Sequence, residues 1–250
     1  VVGEKILSVE RKGKNILIYL SGDLLLLIHQ KMTGHMLVGK WKIQKLKGKS
    51  IVIPLEPKAA VTDPYNRYVH LIFYLDNGKM LALSDLRKFA KAILGKNKDI
   101  ENLPELKNLG PDALAQNLKV ASFAGLIKKE SRKIKQVLMD PEVVAGIGNI
   151  YSDDVLWKAK VHPFRPTNSL SVNELKRIYS AMREILTKAL KLRGTSTSDF
   201  RDTAGKKGMY GPTRLVYQRE DEPCARCKTK IIRKKIGGRS AHFCPKCQKL

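Results

Sequence analysis

Between Lys5 and Leu75 the apolar residues fall in short runs, EKILSVE, NILIYL, LLLLIHQ, HMLVGKW, SIVIPL and VHLIFYL, separated by turn sequences such as SGD and KGK. Aliphatic and β-branched runs of this length between Gly, Ser and Asp predict an antiparallel sheet or sandwich. LIFYL and MLALSD flank Asp76-Asn77-Gly78-Lys79, and Asn-Gly is the strongest short-range hairpin signal because both residues tolerate positive φ. The stretch from Glu56 to Asn66, close to Pro54, Pro57 and Pro64, reads as irregular and exposed.

After a linker with short turns from Asn97 to Asn117, the period becomes helical. Val120, Phe123, Ala124 and Ile127 share one face, and Ile134, Val137 and Leu138 another. From Lys133 to Pro163 two helical runs are joined by a glycine turn. Gly146 and Gly148 permit close approach, Asn149 follows, and Ile150, Val155, Leu156 and Ala159 form the next apolar face until Pro163. A Gly-x-Gly-Asn turn opening a helix presents backbone N–H groups at the positive end of the helix dipole, which suits a phosphate; an ordinary packing joint fits the same spacing. Ser171 and Glu174 form a capping box, after which Leu175, Ile178, Tyr179, Met182, Ile185, Leu186 and Ala189 define a core helix ended by Gly194. The polar, glycine-rich stretch GTSTSDFRDTAGKKGMYGPTR has no period and reads either as a lid over a polar ligand or as disorder.

Charge narrows the partners. The 250 residues carry 48 Lys+Arg against 23 Asp+Glu, a formal net charge of +25. Such a field attracts polyanions. No apolar run approaches the roughly 18 residues of a membrane span, and there is no cleavable signal pattern at the start. Nucleic acid is therefore favoured over a membrane surface. A ribosomal-type structural protein would carry the same charge. The chain opens at Val1 directly into strand-like sequence, so its native beginning is expected to lie upstream.

Three patches and a cysteine array carry candidate chemistry. Arg11-Lys12-Gly13-Lys14 is a basic turn, which solvation alone would explain, and in His29-Gln30-Lys31-Met32-Thr33-Gly34 Met32 is either an exposed apolar tip beside a Thr-Gly turn or ordinary core filler. In Ser84-Asp85-Leu86-Arg87-Lys88-Phe89, Arg87 and Phe89 lie on one side of an extended segment; a rim arginine and a buried phenylalanine fit this pair best by itself, while the alternative is an aromatic that wedges into a base stack beside an arginine that replaces the bonds of an extruded base. Cys224, Cys227, Cys244 and Cys247 form a C-x2-C-x16-C-x2-C array. Four thiolates suit one tetrahedral structural Zn2+ with no open position; two disulfides are the alternative. Between the pairs KTKIIRKKIGGRSAHF predicts a basic hairpin turning at Gly237-Gly238, with Arg239 near its tip.

In order along the chain, RKGK, H-x-x-M-x-G, D-x-R-K-F, LMD…VAGIGNIYSDDVLW and GGRSAHFCPKC resemble the bacterial formamidopyrimidine-DNA glycosylases of the Fpg/Nei family. The resemblance implies an α+β chain: a β-sandwich in residues 1–95, a helix-two-turn-helix domain in 96–194, and a lesion-capping loop with a four-cysteine zinc finger in 195–250. It implies that duplex DNA containing oxidised purines or abasic sites crosses between the halves, bound by a monomer in the bacterial cytoplasm on the nucleoid. Lys14, His70, Asn149 and Arg239 match residues that hold phosphates around the lesion, with Lys135 close to it. Met32, Arg87 and Phe89 match the triad that fills the void left by the flipped nucleotide, and Thr195 to Tyr210 matches the flexible segment that caps oxidised guanine. Having both Arg87 and Phe89 favours the formamidopyrimidine branch over the endonuclease VIII branch.

The family's chemistry is amine catalysis: an N-terminal proline attacks the sugar C1′, expels the base and leaves a Schiff base from which β- and δ-elimination follow, with the next residue, a glutamate, as acid and base. The segment Pro-Glu-Leu-Pro-Glu-Val-Glu that bears them does not occur in these 250 residues. The expectation is thus a base-excision glycosylase and abasic-site lyase for 8-oxoguanine and formamidopyrimidines, with a catalytically inactive damaged-DNA-binding protein as the alternative. Lys14 or Lys135 could supply an amine only with a lowered pKa. Two departures are Asp154, where glutamate is usual, expected to shorten a site contact, and Ala90, where glycine is usual, expected to alter the insertion loop.

Overall fold

The structure, a computed structural model, describes residues 1–250 apart from Lys47, Gly48 and Ser198, and apart from the side chains of 46–50. The Lys47-Gly48 part of the expected KGK turn, and Ser198 of the expected capping loop, lie outside the described residues.

The chain divides into two compact units. The first comprises Val1–Arg11, Asn15–Ile100 and Lys191–Pro212; the second comprises Lys12–Lys14, Glu101–Leu190 and Thr213–Leu250. The stretch expected to cap a lesion, Thr195 to Tyr210, therefore belongs with the first unit, and the Lys12–Lys14 turn with the second.

Among the described residues eight strands build the first unit: β1 (Ile6–Lys12), β2 (Asn15–Leu20), β3 (Leu24–His29), β4 (Gly34–Leu46), β5 (Lys49–Glu56), β6 (Val69–Tyr74), β7 (Met80–Asp85) and β8 (Lys91–Lys96). They form two antiparallel four-stranded sheets, ordered β1-β2-β3-β8 and β5-β4-β7-β6. Ile18, Leu20, Leu26 and Ile28 of one sheet pack on Met36 and Leu83 of the other, with Leu71 and Phe73 alongside. This is the sandwich that the alternating runs predict. In β3, Leu25 to Ile28 are all buried, which explains why its sequence is continuously apolar. The Asn77-Gly78 turn joins β6 to β7 with Gly78 at φ +73° and Leu75 N donating to Lys79 O at 2.9 Å.

The stretch from Glu56 to Asn66 departs from expectation. It forms a short helix, α1 (Lys58–Thr62), and a 3-10 turn at Pro64–Arg67, with Ala60 and Asn66 fully buried. Asp63 organises the turn by accepting from Tyr65 N at 3.1 Å, a local bond that the proline count conceals. The linker also contains helices, α2 (Asn97–Glu101) and α3 (Pro104–Lys107), with Ile100, Leu106 and Leu118 buried.

Helices α4 (Val120–Lys128), α5 (Ile134–Met139), α6 (Asn149–Ala159) and α7 (Val172–Lys191) follow. The capping box at the start of α7 forms in both directions: Ser171 N donates to Glu174 Oε2 at 2.8 Å, and Glu174 N to Ser171 Oγ at 3.2 Å. Leu175, Ile178, Met182, Ile185 and Leu186 of α7 are buried, each worth about 1.5–3 kcal/mol relative to exposure. Helix α6 buries more than its apolar face, because Ser152, Asp153 and Asp154 are also inside. The chain ends in the hairpin of β9 (Ile232–Ile236) and β10 (Arg239–Phe243), paired from Arg239↔Ile236 to Phe243↔Ile232.

Candidate nucleic-acid interface

In the second unit three sequence candidates come together at the start of α6. Gly148 is its N-cap and makes no side-chain cap bond, so the first-turn amides stay available to an anion. Asn149 follows, and its Oδ1 is buried with no hydrogen-bond partner among the described residues. The Lys14 ammonium lies against Gly148, 3.2 Å from where a Cβ would stand. Burial, and then the positive charge of Arg239, pull the Lys14 pKa below its ordinary value. The charge of Arg239 and the positive helix N-terminus both oppose the Lys14 ammonium until an anion sits beside it.

In the first unit Met32, Arg87 and Phe89 meet at the ends of two loops. Arg87 Nη1 lies 3.6 Å from Met32 Sδ, and its Cζ lies 4.6 Å from the centre of the Phe89 ring. Met32 is 61% and Phe89 52% exposed. The two loops are fixed by Asp85, which is buried and accepts from the Thr33 hydroxyl, from Arg87 N at 3.2 Å and from Ala90 N at 2.7 Å. Burial alone would raise the Asp85 pKa, yet these donors hold it below the usual carboxylate range. At Gly34 a Cβ would stand 2.5 Å from Gln30 O and 2.9 Å from the Ala90 methyl, so glycine lets the loops close. Ala90 fits by packing on the sandwich core. His70 stands on β6 at a register shift between Val69 and Leu71, and its Nε2 is 2.9 Å from Asp85 O. A bulge re-aims a side chain in this way.

The four cysteine Sγ atoms lie within 4.8 Å of one another. Cys227 is 3.4 Å from Cys244 and from Cys247, and Cys224 is 4.0 Å from Cys247. A tetrahedral Zn2+ with bonds of about 2.3 Å sets its ligands about 3.8 Å apart, whereas a disulfide needs about 2.05 Å. All four are free thiols, which removes the disulfide alternative. Trp157 Nε1 donates to Cys224 Sγ at 3.3 Å, as a partner to thiolate would. Without a cation the thiols do not ionise together: hydrogen bonds from Thr229 draw Cys227 down to about 6, while burial and its neighbours push Cys247 up to about 12.

Comparison with known proteins matches residues 1–92 to the formamidopyrimidine-DNA glycosylase N-terminal domain, 109–201 to the H2TH domain of the same enzymes, and 221–250 to the zinc finger found in FPG and IleRS. A formamidopyrimidine-DNA glycosylase of Heliobacterium modesticaldum is 36% identical over 247 residues, 99% of this chain and 83% of the relative. The chain belongs to the formamidopyrimidine-DNA glycosylase family. Among similar solved structures, the Fpg protein of Thermus thermophilus has a TM-score of 0.81 at 33% identity, covering 98% of this chain and 84% of its own. The Lactococcus lactis Fpg in complex with DNA containing an abasic site also has a TM-score of 0.81, at 30% identity over 99% of this chain and 83% of its own. Cys224, Cys227, Cys244 and Cys247 are the structural zinc site of this family's finger.

In this glycosylase-family chain two of the residues singled out in the sequence make inward contacts. Lys135 is 1% exposed, its ammonium donating to Asp153 Oδ1 and, at 2.7 Å, to Ser240 O. Asp153 also accepts from His242 N at 2.9 Å and faces His242 Nδ1 at 3.0 Å. Lys135 thus faces inward and joins α5, α6 and β10, although burial lowers its pKa against the pull of Asp153. Asp154 is fully buried, and its Oδ1 accepts from Leu215 N at 3.1 Å and Val216 N at 3.0 Å, so its carboxylate serves the fold. Asp153 carried no sequence signal beyond its place on α6, because its partners are up to 89 positions away.

Proposed function

We propose that this chain is a base-excision repair protein that grips duplex DNA at oxidised purines or abasic sites, extrudes the damaged nucleotide, and acts as a glycosylase and abasic-site lyase. The observation that carries the proposal is the exposed tip of Met32, Arg87 and Phe89. A soluble surface does not ordinarily present a methionine and a phenylalanine on two loops pinned by one buried aspartate, but a protein that fills a gap in a base stack needs that arrangement. Lys14, Arg239 and the start of α6, with Asn149, supply a second feature such a protein needs, a cationic seat for backbone phosphate. Within the first unit, His70 is a phosphate ligand of its own, through the ring nitrogen that does not face Asp85. Relatives solved with abasic-site DNA and with Fapy-dG DNA support the substrate class.

Excision breaks the N-glycosidic bond as an amine attacks C1′. The Schiff base then acidifies the neighbouring sugar protons, so that elimination cuts the strand. The test is borohydride trapping on a duplex with 8-oxoguanine opposite cytosine, beside one with an abasic site. A covalent adduct on both duplexes is the outcome that the enzyme reading requires, and it would mean that an amine among these residues, such as that of Lys14, is the nucleophile. Tight abasic-site binding with no adduct would instead make the chain a lesion-binding protein. Equal affinity for damaged duplex, intact duplex and RNA would remove the repair reading altogether.

A further inference from the structure

Over its described residues, the stretch matched to the lesion-capping segment is tied at two places within the first unit. At its neck, Met209 N donates to Leu192 O at 2.8 Å, Tyr210 N to Gly194 O at 3.0 Å and Gly208 N to Ser196 Oγ at 2.8 Å. At its far end it is fastened to the sandwich and to the Pro57–Arg67 stretch. Arg201 is 1% exposed and grips Asp63 with two nitrogens, Nε to Oδ2 at 2.6 Å and Nη2 to Oδ1 at 3.1 Å. Its guanidinium carbon lies 4.8 Å from the centre of the Tyr65 ring. Val38 N donates to Thr203 O at 2.8 Å. Asn66 Nδ2 donates to Gly205 O at 3.1 Å and to Ala59 O at 3.0 Å, while Asn66 Oδ1 meets buried His35 Nε2 at 3.0 Å. Gly205 has φ +77°, and a Cβ there would stand 2.7 Å from Asn66 Nδ2 and 3.1 Å from Ala60 N.

A fully buried arginine is tolerated only when its charge is matched and its donors are used. Here the match comes from a residue 138 positions away. A loop needed only to join α7 to the zinc finger requires no such fastening, since connecting segments usually run freely over the surface. A loop that must hold one pose over a base does require it, because binding energy is lost when a mobile segment has to be ordered at the moment of binding.

We propose that Arg201 and Asp63, with Asn66 and Gly205, form a clamp that pre-sets the capping loop and so determines selectivity for a base that is present over an abasic site. Arg201 is a positioning residue in this scheme and touches no substrate. The inference rests on the functional reading above.

The test compares the full chain with Arg201→Met and Gly205→Ala, measuring affinity for a duplex carrying 8-oxoguanine opposite cytosine and for one carrying a tetrahydrofuran abasic analogue, which offers no base to cap. Amide exchange at Val38 and Gly205 is followed in the free proteins. Both variants are expected to weaken binding to the 8-oxoguanine duplex about tenfold, to leave the abasic-analogue affinity within about twofold, and to speed exchange at both amides. Arg201→Lys, which keeps the charge for Asp63, is expected to recover part of the selectivity. Equal losses on both duplexes, or an unchanged ratio with faster exchange, would overturn the clamp as a selectivity device. Wild-type protein that prefers neither damaged duplex over intact DNA would overturn the functional reading itself, and the inference with it.

Discussion

Lys14 is exposed as a residue, yet desolvation of its ammonium and then the charge of Arg239 disfavour its charged form, and a phosphate would offset that cost. Its pKa therefore rises when DNA binds, and binding takes up a proton at any pH between the free and bound values. Affinity is expected to fall as pH rises through that window, and Lys14→Gln should flatten the profile; a titration of affinity against pH checks this. Arg239→Ala should weaken binding to damaged and intact duplexes alike, and reduce the salt slope of log Kd by about 1. An unchanged slope would remove Arg239 from the phosphate interface. Phe89→Ala should act differently, lowering lesion preference by about 1–3 kcal/mol, as loss of one stacking aromatic does, with little change on intact DNA. Competition binding separates the two outcomes. At this scale the motif residues were legible because their chemistry is carried by residue type and close spacing. Lys135 was not, since a lysine in a basic run looks the same whether it faces solvent or Asp153.

At the scale of elements, α6 holds the second unit together by polar contacts as much as apolar ones. Asp153 satisfies Lys135 from α5 and His242 from β10, while Asp154 caps the amides of Leu215 and Val216. Asp153→Ala would leave the Lys135 ammonium buried without its anion, and is expected to cost about 3–5 kcal/mol of stability. Replacing Lys135 by Met and Asp153 by Leu together should cost less than that. Urea unfolding midpoints give the comparison, and equal losses would show that His242 rather than Lys135 is the partner that matters. The zinc finger offers a second test. Removing the metal returns four thiols to a cluster in which Cys227 and Cys247 are pulled in opposite directions, so chelation should loosen residues 221–250 and weaken DNA binding. Retention of the hairpin's amide protection without metal would count against that dependence. The strands, the Asn77-Gly78 hairpin and the Ser171 capping box were all readable, because neighbours within a few residues decide them. The helix at Lys58–Thr62 was not, because Asp63 and buried Asn66 stabilise it through contacts with residues near Gly205.

At the scale of the whole molecule, the formal charge of +25 favours fast, salt-sensitive association with a polyanion such as DNA. No helix among the described residues is long and apolar enough to cross a membrane. The sequence by itself determined the sandwich, the helical half, the four-cysteine finger and the family, since alternation, helical period, cysteine spacing and ordered motifs are properties of local chemistry written along the chain. Only the tertiary structure decided that Lys135 turns inward to Asp153, that Asp85 locks the Met32 and Arg87 loops together, and that Arg201 fastens the capping loop to Asp63. Each of these is a buried charge whose partner lies 18, 52 or 138 positions away. Burial makes such a partner obligatory, but nothing in the neighbouring sequence says which residue it will be.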